Sequence, residues 1–339
     1  NDGKNWPLMM ISASQGFINQ SDRYDKDNAG TSKSKYTLIK YGELSYNHGN
    51  SKIKKYGAVF AMNNKGALIP FVYHTFSIRK PNNPFYFAKY LNLNIHNRYL
   101  KKVISSGARM DGLLNISLDD FFKMPINYPS LEEQNKINDF LEKIDTKINL
   151  INDKISILKK YKKGMQKNIF DSSKTKEYLI LKNIVKFENK SKIPANSSIE
   201  NGNYILYKSG QKNGMINNYS HEGVYIIAND GGIAQFKLTS GKFAYTDHCI
   251  CFRCQSDEET IVLCNYLQSL EKKITYVGFT GTGLKNIDRQ YLGMIRIPKV
   301  DNKKIAKSFN LIDEAIRNYG NILEKITIIK KLLLKQMFI

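Results

Sequence analysis

Four cysteines, Cys249, Cys251, Cys254 and Cys264, fall within one short stretch of a 339-residue chain. The spacing C-x-C-x2-C could serve zinc, which takes thiolates in a tetrahedron. The surrounding "FAYTDHCICFRC" alternates as a strand does, however, placing Cys249 and Cys251 on one face and Cys254 on the other. Metal ligands must converge, and no CxxC pair exists to match a second one. Buried, reduced thiols and no metal are therefore expected. His48, His74 and His248 could be acid–base groups, but each is a lone histidine without a fixed acidic partner, and a structural role is expected.

Two short motifs raise enzymatic chemistry and fail to carry it. "NPFY" at 83–86 resembles the Asn-Pro-Pro-Tyr turn with which adenine methyltransferases orient a flipped base. The middle proline is absent, and no Gly-rich strand–loop–helix for S-adenosylmethionine precedes it. "GTG" at 281–283 is too short for a phosphate loop, and no Lys-Ser/Thr follows. The chain is expected to be no enzyme and to hold no cofactor of its own.

The charge points elsewhere. Fifty-two Lys and Arg face thirty Asp and Glu, a formal net charge of +22. Such an excess usually signals a polyanionic partner, and nucleic acid is the first reading. A membrane surface, or an AT-rich genome favouring Lys, Asn and Ile, are the alternatives. No apolar run approaches the roughly 18 residues of a membrane span, and no signal-peptide pattern opens the chain, so a cytoplasmic protein is expected.

What positions these groups is an internal repeat. "KKGMQKNIF" (162–170) returns as "KKLLLKQMF" (330–338). Laid over each other without a gap, residues 137–170 and 305–338 share an apolar rhythm of alternating fours and threes, the heptad step of a coiled-coil seam. The first copy places Ile137, Leu141, Ile144, Ile148, Ile151, Ile155 and Leu158 on that seam, then Met165 and Ile169. The second places Ile305, Phe309, Ile312, Ile316, Tyr319, Leu323 and Ile326, then Leu333 and Met337. Both copies interrupt the seam at one slot, with Lys162 and Lys330, which are expected to snorkel or to meet an acidic partner surface. Each helix should run about 33 residues. Its mate could be the other copy in the chain, parallel or antiparallel, and the pseudo-twofold symmetry of a duplication favours antiparallel; the alternative is that each helix packs on its own domain.

The duplication extends upstream. "GLLNISLDDFFKMPINYP" (112–129) answers "GLKNIDRQYLGMIRIP" (283–298), each reading as a short strand stopped by Pro129 or Pro298. Ser130 and Glu133 stand at capping-box spacing. "SQGFIN" (14–19) resembles "KNGMIN" (212–217), and helical patches are expected at 84–103 and 257–275. Gly16 has far fewer residues before it than Gly214 has after Phe170, so the first domain is expected to lack roughly its opening 28 residues.

Residues 131–164, with a Leu-x-Glu-Gln start, a Phe-Leu-x-x-Ile-Asp core and a Leu-Lys-x-x-Lys-Lys-Gly end, resemble the spacer of Type I restriction–modification specificity (S) subunits. The second spacer is more degenerate: Asp301-Asn302 replaces the Glu-Glu-Gln start, while Ile312-Asp313 and the basic end survive. The resemblance covers nearly the whole chain. It implies an α+β fold: two small mixed α/β target-recognition domains joined by two long helices in an antiparallel intramolecular coiled coil. The domains would be 1–129 and 171–298, the spacers 130–170 and 299–339. It further implies a non-catalytic reader of double-stranded DNA, each recognition domain binding half of a bipartite site. The coiled coil would set the gap and dock two methyltransferase (M) subunits, with restriction/translocase (R) subunits joining. S-adenosylmethionine, ATP and Mg would belong to those partners. The rival reading is a basic coiled-coil adaptor, a structural nucleic-acid-binding protein without split-site specificity.

Candidate DNA-binding residues are polar or basic groups in Gly-rich or Lys-rich loops, which can reach phosphates or groove edges. In the first domain they are Ser14, Gln15, Lys33, Lys35, Asn47, His48, Asn50, Lys52, Lys54, Lys55 and Arg109. In the second they are Lys208, Ser209, Gln211, Lys212, Asn213, Asn229, Thr280, Thr282 and Lys285. For each, an ordinary solvated loop is the competing explanation.

Overall fold

The computed structural model describes residues 2, 4–22, 35–49, 54–104, 114, 116–171, 173, 177–210, 212–283 and 285–338. The chain divides into two compact units, Asn1–Asn149 with Lys325–Ile339, and Leu150–Glu324. Both long helices contribute to both units.

In the first unit, Leu44–Asn47 lies antiparallel between Ala58–Ala61 and His74–Phe76. Thr37–Lys40 pairs with Gly66–Ile69, and Met9–Ser12 with Gly16–Asn19. Gly57 has a positive φ of 79°, and an added Cβ would lie 2.5 Å from the Asn47 carbonyl, so only glycine fits there. The "NPFY" stretch proves to be a helix start. The Asn83 side chain accepts from the Phe85 and Tyr86 amides, and Pro84 opens helix Pro84–Tyr90, where its missing N–H costs nothing. Asn97–Val103 completes the patch expected at 84–103.

The core joins Tyr86, Phe87, Tyr90, Leu100 and Phe121 to Ile137 and Leu141 of one long helix and Phe338 just beyond the other. Gln134, from the Leu-x-Glu-Gln motif, is fully buried. Its Nε2 donates to Asn82 Oδ1 and to the Pro129 carbonyl, each at 2.9 Å, and its Oε1 accepts from the Asn83 amide at 2.9 Å. A buried carboxamide with its partners supplied fixes the helix start against the helix Pro84–Tyr90.

The second unit holds two four-stranded sheets. One runs Gly214–Ile216, Tyr204–Tyr207, Lys242–Tyr245, His221–Glu222, with the central pair parallel. The other runs Phe236–Leu238, Ile226–Asn229, Cys249–Arg253, Lys186–Phe187, all antiparallel. Helix Asp257–Ser269 carries a full capping box between Ser256 and Glu259, and Glu271–Val277 follows. The cysteines are free and buried. Cys249 and Cys251 pack with Tyr207, Phe243 and Tyr245, whereas Cys254 and Cys264 enter the cluster of Phe236, Phe252 and Leu267. Burial pushes all four thiols up, Cys254 to about 12, which suppresses thiolate chemistry.

The strands expected before the two prolines differ. Arg296–Pro298 forms and pairs with Tyr178–Ile180, but residues 125–129 form no strand. A strand exists only beside a ladder partner, and among the described residues of the first unit none lies there.

The long helices are Leu131–Ile169 and Asn302–Met337, 39 and 36 residues, somewhat beyond the expected 33. They pack against each other antiparallel: Asp145 meets Lys330, and Asp313 meets Lys162, so advancing along one helix means retreating along the other. Every seam position from Ile137 to Leu158 and from Ile305 to Ile326 is buried or partly buried. The two lysines that interrupt the seam do not snorkel to water. Each reaches across to the aspartate of the other copy, because a carboxylate at the matching slot offers a partner without leaving the interface.

Candidate nucleic-acid interface

In the first unit, Ser14 and Gln15 sit exposed at the tip of the Met9–Ser12/Gly16–Asn19 hairpin, and Ser12 Oγ lies 3.3 Å from Ser14 Oγ. Lys35 and Lys55 are also exposed; the Lys55 ammonium lies 5.7 Å from the Tyr56 ring centre. Other candidates are held inside. Asn47 donates from Nδ2 to the Ile11 carbonyl at 3.0 Å and accepts from the Gly49 amide at 2.9 Å, so it shapes the turn. Lys54 donates to the Asn92 carbonyl at 3.2 Å, and burial lowers its pKa.

His48 requires a correction as a DNA contact. It is buried, its Nδ1 lies 2.9 Å from the Leu114 carbonyl and its Nε2 2.8 Å from the Val72 carbonyl. Its ring stacks on His74 with centres 4.6 Å apart. Both ring nitrogens are spoken for, so no edge remains for a base. Lys33, Asn50, Lys52 and Arg109 lie outside the described residues, as does Gln211.

In the second unit three candidate loops converge on one hairpin. The Gly232 amide donates to the Lys285 carbonyl at 2.9 Å and the Ile287 amide to the Asp230 carbonyl at 2.8 Å, which joins 228–232 to the Phe279–Thr280/Asn286–Ile287 pair. On the other side, Lys237 Nζ donates to the Lys208 and Gly210 carbonyls at 2.7 Å each and to Asn213 Oδ1 at 3.1 Å. Around this edge Lys212, Asn213, Thr280, Thr282 and Lys285 are exposed, and Lys208 and Ser209 half-buried. Asn229 is corrected as a contact: it is buried at the end of a central strand and donates to the Ile233 carbonyl at 3.3 Å.

Sequence reasoning missed Lys237, which reads as an ordinary strand lysine. Its pKa is lowered by burial, and three acceptors hold it, so it acts as a latch on the loop rather than as a surface charge. It also missed the pair Tyr219 and Lys242. The Lys242 ammonium stands 4.7 Å from the exposed Tyr219 ring, and Tyr204 packs on that ring at 5.1 Å. Exposed lysines, amides and hydroxyls mounted on paired strands can contact phosphates and groove edges. Among the described residues no group of three or more His, Cys, Asp or Glu could hold a metal, and no helix is long and apolar enough to cross a membrane.

An internally duplicated α+β chain, whose two copies share one antiparallel helix pair, is the class that these features define. The Type I restriction modification DNA specificity domain matches the chain twice, over residues 17–160 and 173–327. The chain belongs to that family. A Methanocaldococcus jannaschii protein provisionally named as type I restriction enzyme MjaX specificity subunit is 24% identical over 320 residues, 83% of this chain and 74% of that one. The crystal structure of a Type-I restriction-modification system S subunit from M. genitalium superposes with a TM-score of 0.69 at 16% identity, over 100% of this chain and 90% of the other. That likeness shows the fold.

Proposed function

We propose that the chain is the non-catalytic DNA-reading subunit of a Type I restriction–modification complex. Its recognition domains, 1–129 and 171–298, each read one half of a bipartite double-stranded site. The helix pair sets the gap between the halves and docks two methyltransferase subunits, with restriction/translocase subunits completing the assembly. The observation that carries this reading is the reciprocal pairing of the repeated helices. A single chain that mates its own two copies carries two different loop sets on one helix pair, which suits two unlike half-sites. The net charge of +22 supplies the sequence-independent part of DNA affinity. The exposed residues Ser14, Gln15, Lys35 and Lys55 in one copy, and Lys212, Asn213, Thr280, Thr282 and Lys285 in the other, are the proposed contacts.

Methylome sequencing of cells with and without the chain tests this directly. One gapped, adenine-methylated motif should appear with the chain and vanish without it. Binding that ignores sequence, with no change in the methylome, would favour the adaptor reading instead.

A further inference from the structure

In the second unit one hydrogen-bonded path runs from the helix seam to a candidate DNA loop. It begins at the Lys162 ammonium, which bonds to both Asp313 oxygens and also donates to Gln268 Oε1 at 3.3 Å. The same carboxamide donates from Nε2 to the Phe236 carbonyl at 2.9 Å. Three residues on, the Glu271 carboxylate accepts from the Phe236 amide at 2.9 Å, and Thr275 Oγ1 accepts from the Ala234 amide at 2.9 Å. Phe236–Leu238 is the outer strand of its sheet, so its outward backbone groups have no ladder partner, and these helix side chains satisfy them instead. The next residue is Lys237, whose ammonium holds the loop 208–213 through Lys208, Gly210 and Asn213.

The first unit has a similar clamp, built differently. Ala58–Ala61 is the outer strand beside Leu44–Asn47, as Phe236–Leu238 is beside Ile226–Asn229. A single carboxamide grips it at both backbone groups: the Val59 amide donates to Asn92 Oδ1 at 3.0 Å, and Asn92 Nδ2 donates to the Val59 carbonyl at 2.6 Å. Asn92 Nδ2 also donates to the Ala88 carbonyl at 2.9 Å, within its own helix end. Lys330, the counterpart of Lys162 in the repeat, bonds to Asp145 and, among the described residues, to no member of that clamp. The link between outer strand and seam lysine is thus a feature of the second unit.

We propose that Gln268 is a positioning residue for DNA reading: it fastens the loop 208–213, through Phe236 and Lys237, to the seam lysine Lys162. This rests on the function proposed above, in which Lys212 and Asn213 touch the duplex. A loop ordered before it meets DNA loses less freedom on binding, and its contacts then count more fully toward affinity. The residue type fits the place. A carboxamide accepts from the lysine and donates to the strand carbonyl at once, whereas a glutamate could only accept and a methionine would do neither.

The test compares the full chain with Gln268→Met, with Gln268→Glu, and with the charge swap Lys162→Asp plus Asp313→Lys. Hydrogen exchange without DNA reads the tie itself. Gln268→Met should quicken exchange at 236–238 and 208–213 roughly tenfold and leave 58–61 unchanged. Gln268→Glu keeps the acceptor for Lys162 but loses the donor to Phe236, and should loosen the same segments. The swap keeps an ion pair in the seam but no donor for Gln268 Oε1, so the loop should stay loose even where the urea midpoint recovers. DNA binding then reads the function, on a duplex carrying the motif that the methylome returns. Gln268→Met and the swap should each bind roughly tenfold more weakly, with a salt slope lower by about one, as loss of the Lys212 phosphate contact requires. A fold that is merely less stable would leave that slope alone. Unchanged exchange at 208–213 in Gln268→Met overturns the proposal, as does a swap that restores exchange there together with stability. So does a loosened loop with unaltered DNA affinity and slope. A wild-type chain that bound no DNA would instead bring down the functional reading first, so the two failures are told apart.

Discussion

Lys162 crosses the helix pair to Asp313, its Nζ 2.8 Å from Oδ1 and 2.9 Å from Oδ2, and the repeat places Lys330 on Asp145 in the same way. These pairs are side chains 15% and 30% exposed in the first case, so the charges are partly desolvated within an otherwise apolar seam. The Lys162 ammonium also donates to Gln268 and lies 5.9 Å from the Phe309 ring centre. Asp313→Ala should cost about 1–3 kcal/mol in denaturant unfolding, since it strands a half-buried cation. The swap Lys162→Asp with Asp313→Lys should recover most of that loss. If the swap is no better than the single change, the pair is not what holds these helices in register.

Phe309 is fully buried among Ala306, Ile261 and Val262, where the second long helix meets helix Asp257–Ser269. Phe309→Ala should destabilise by about 3–5 kcal/mol, because a cavity at a helix–domain junction cannot collapse without moving one of them. Chemical denaturation followed by exchange mapping should place the loss in Leu150–Glu324.

Acid should weaken the first unit. Burial holds His74 and His96 below the usual value of 6.5, with the neighbouring His48 adding to the effect at His74. A folded pKa below the unfolded one means that the unfolded chain binds more protons, so this stability is complete above pH 6.5 and is lost as pH falls below it. Urea midpoints measured between pH 7.5 and 5.5 should fall, and His74→Asn should flatten that slope.

Lys237 is expected to act on the loop it latches. Lys237→Met removes bonds to Lys208, Gly210 and Asn213, each charge-assisted. Exchange should quicken at 208–213 by an amount corresponding to about 1.5–3 kcal/mol of local opening. DNA affinity should drop while the melting of the helix pair stays unchanged.

The gap is a further check on the proposed function. One heptad added to both long helices lengthens each by about 10.5 Å, equivalent to about 3 base pairs. The methylated motif should keep both half-sites and widen between them by about that amount. Separately, removing Lys55, Lys212 or Lys285 should each lower the salt slope of DNA binding by about one, uniformly across sequences.

The internal duplication, the seam and the helical patches after the strand regions were legible in the amino-acid order. These follow from periodicity, which any fold of the chain must respect, because a long apolar stripe has to find a matching stripe. The sequence also contained the glutamine of the spacer motif and the two seam lysines, but not their use. Gln134 matters through Asn82, Asn83 and Pro129, and Lys162 through Asp313, 151 residues away in sequence.

Which loop residues face outward becomes visible only in the folded chain. His48 and Asn229 have the right chemistry for reading bases and are buried, whereas Lys237 looked ordinary and ties a loop down. The reason is physical: a polar side chain serves water, nucleic acid or the backbone equally well, and which one it meets depends on packing that no local pattern encodes. Whether residues before Pro129 and Pro298 become strands was decided in the same way, by the presence or absence of a neighbouring strand.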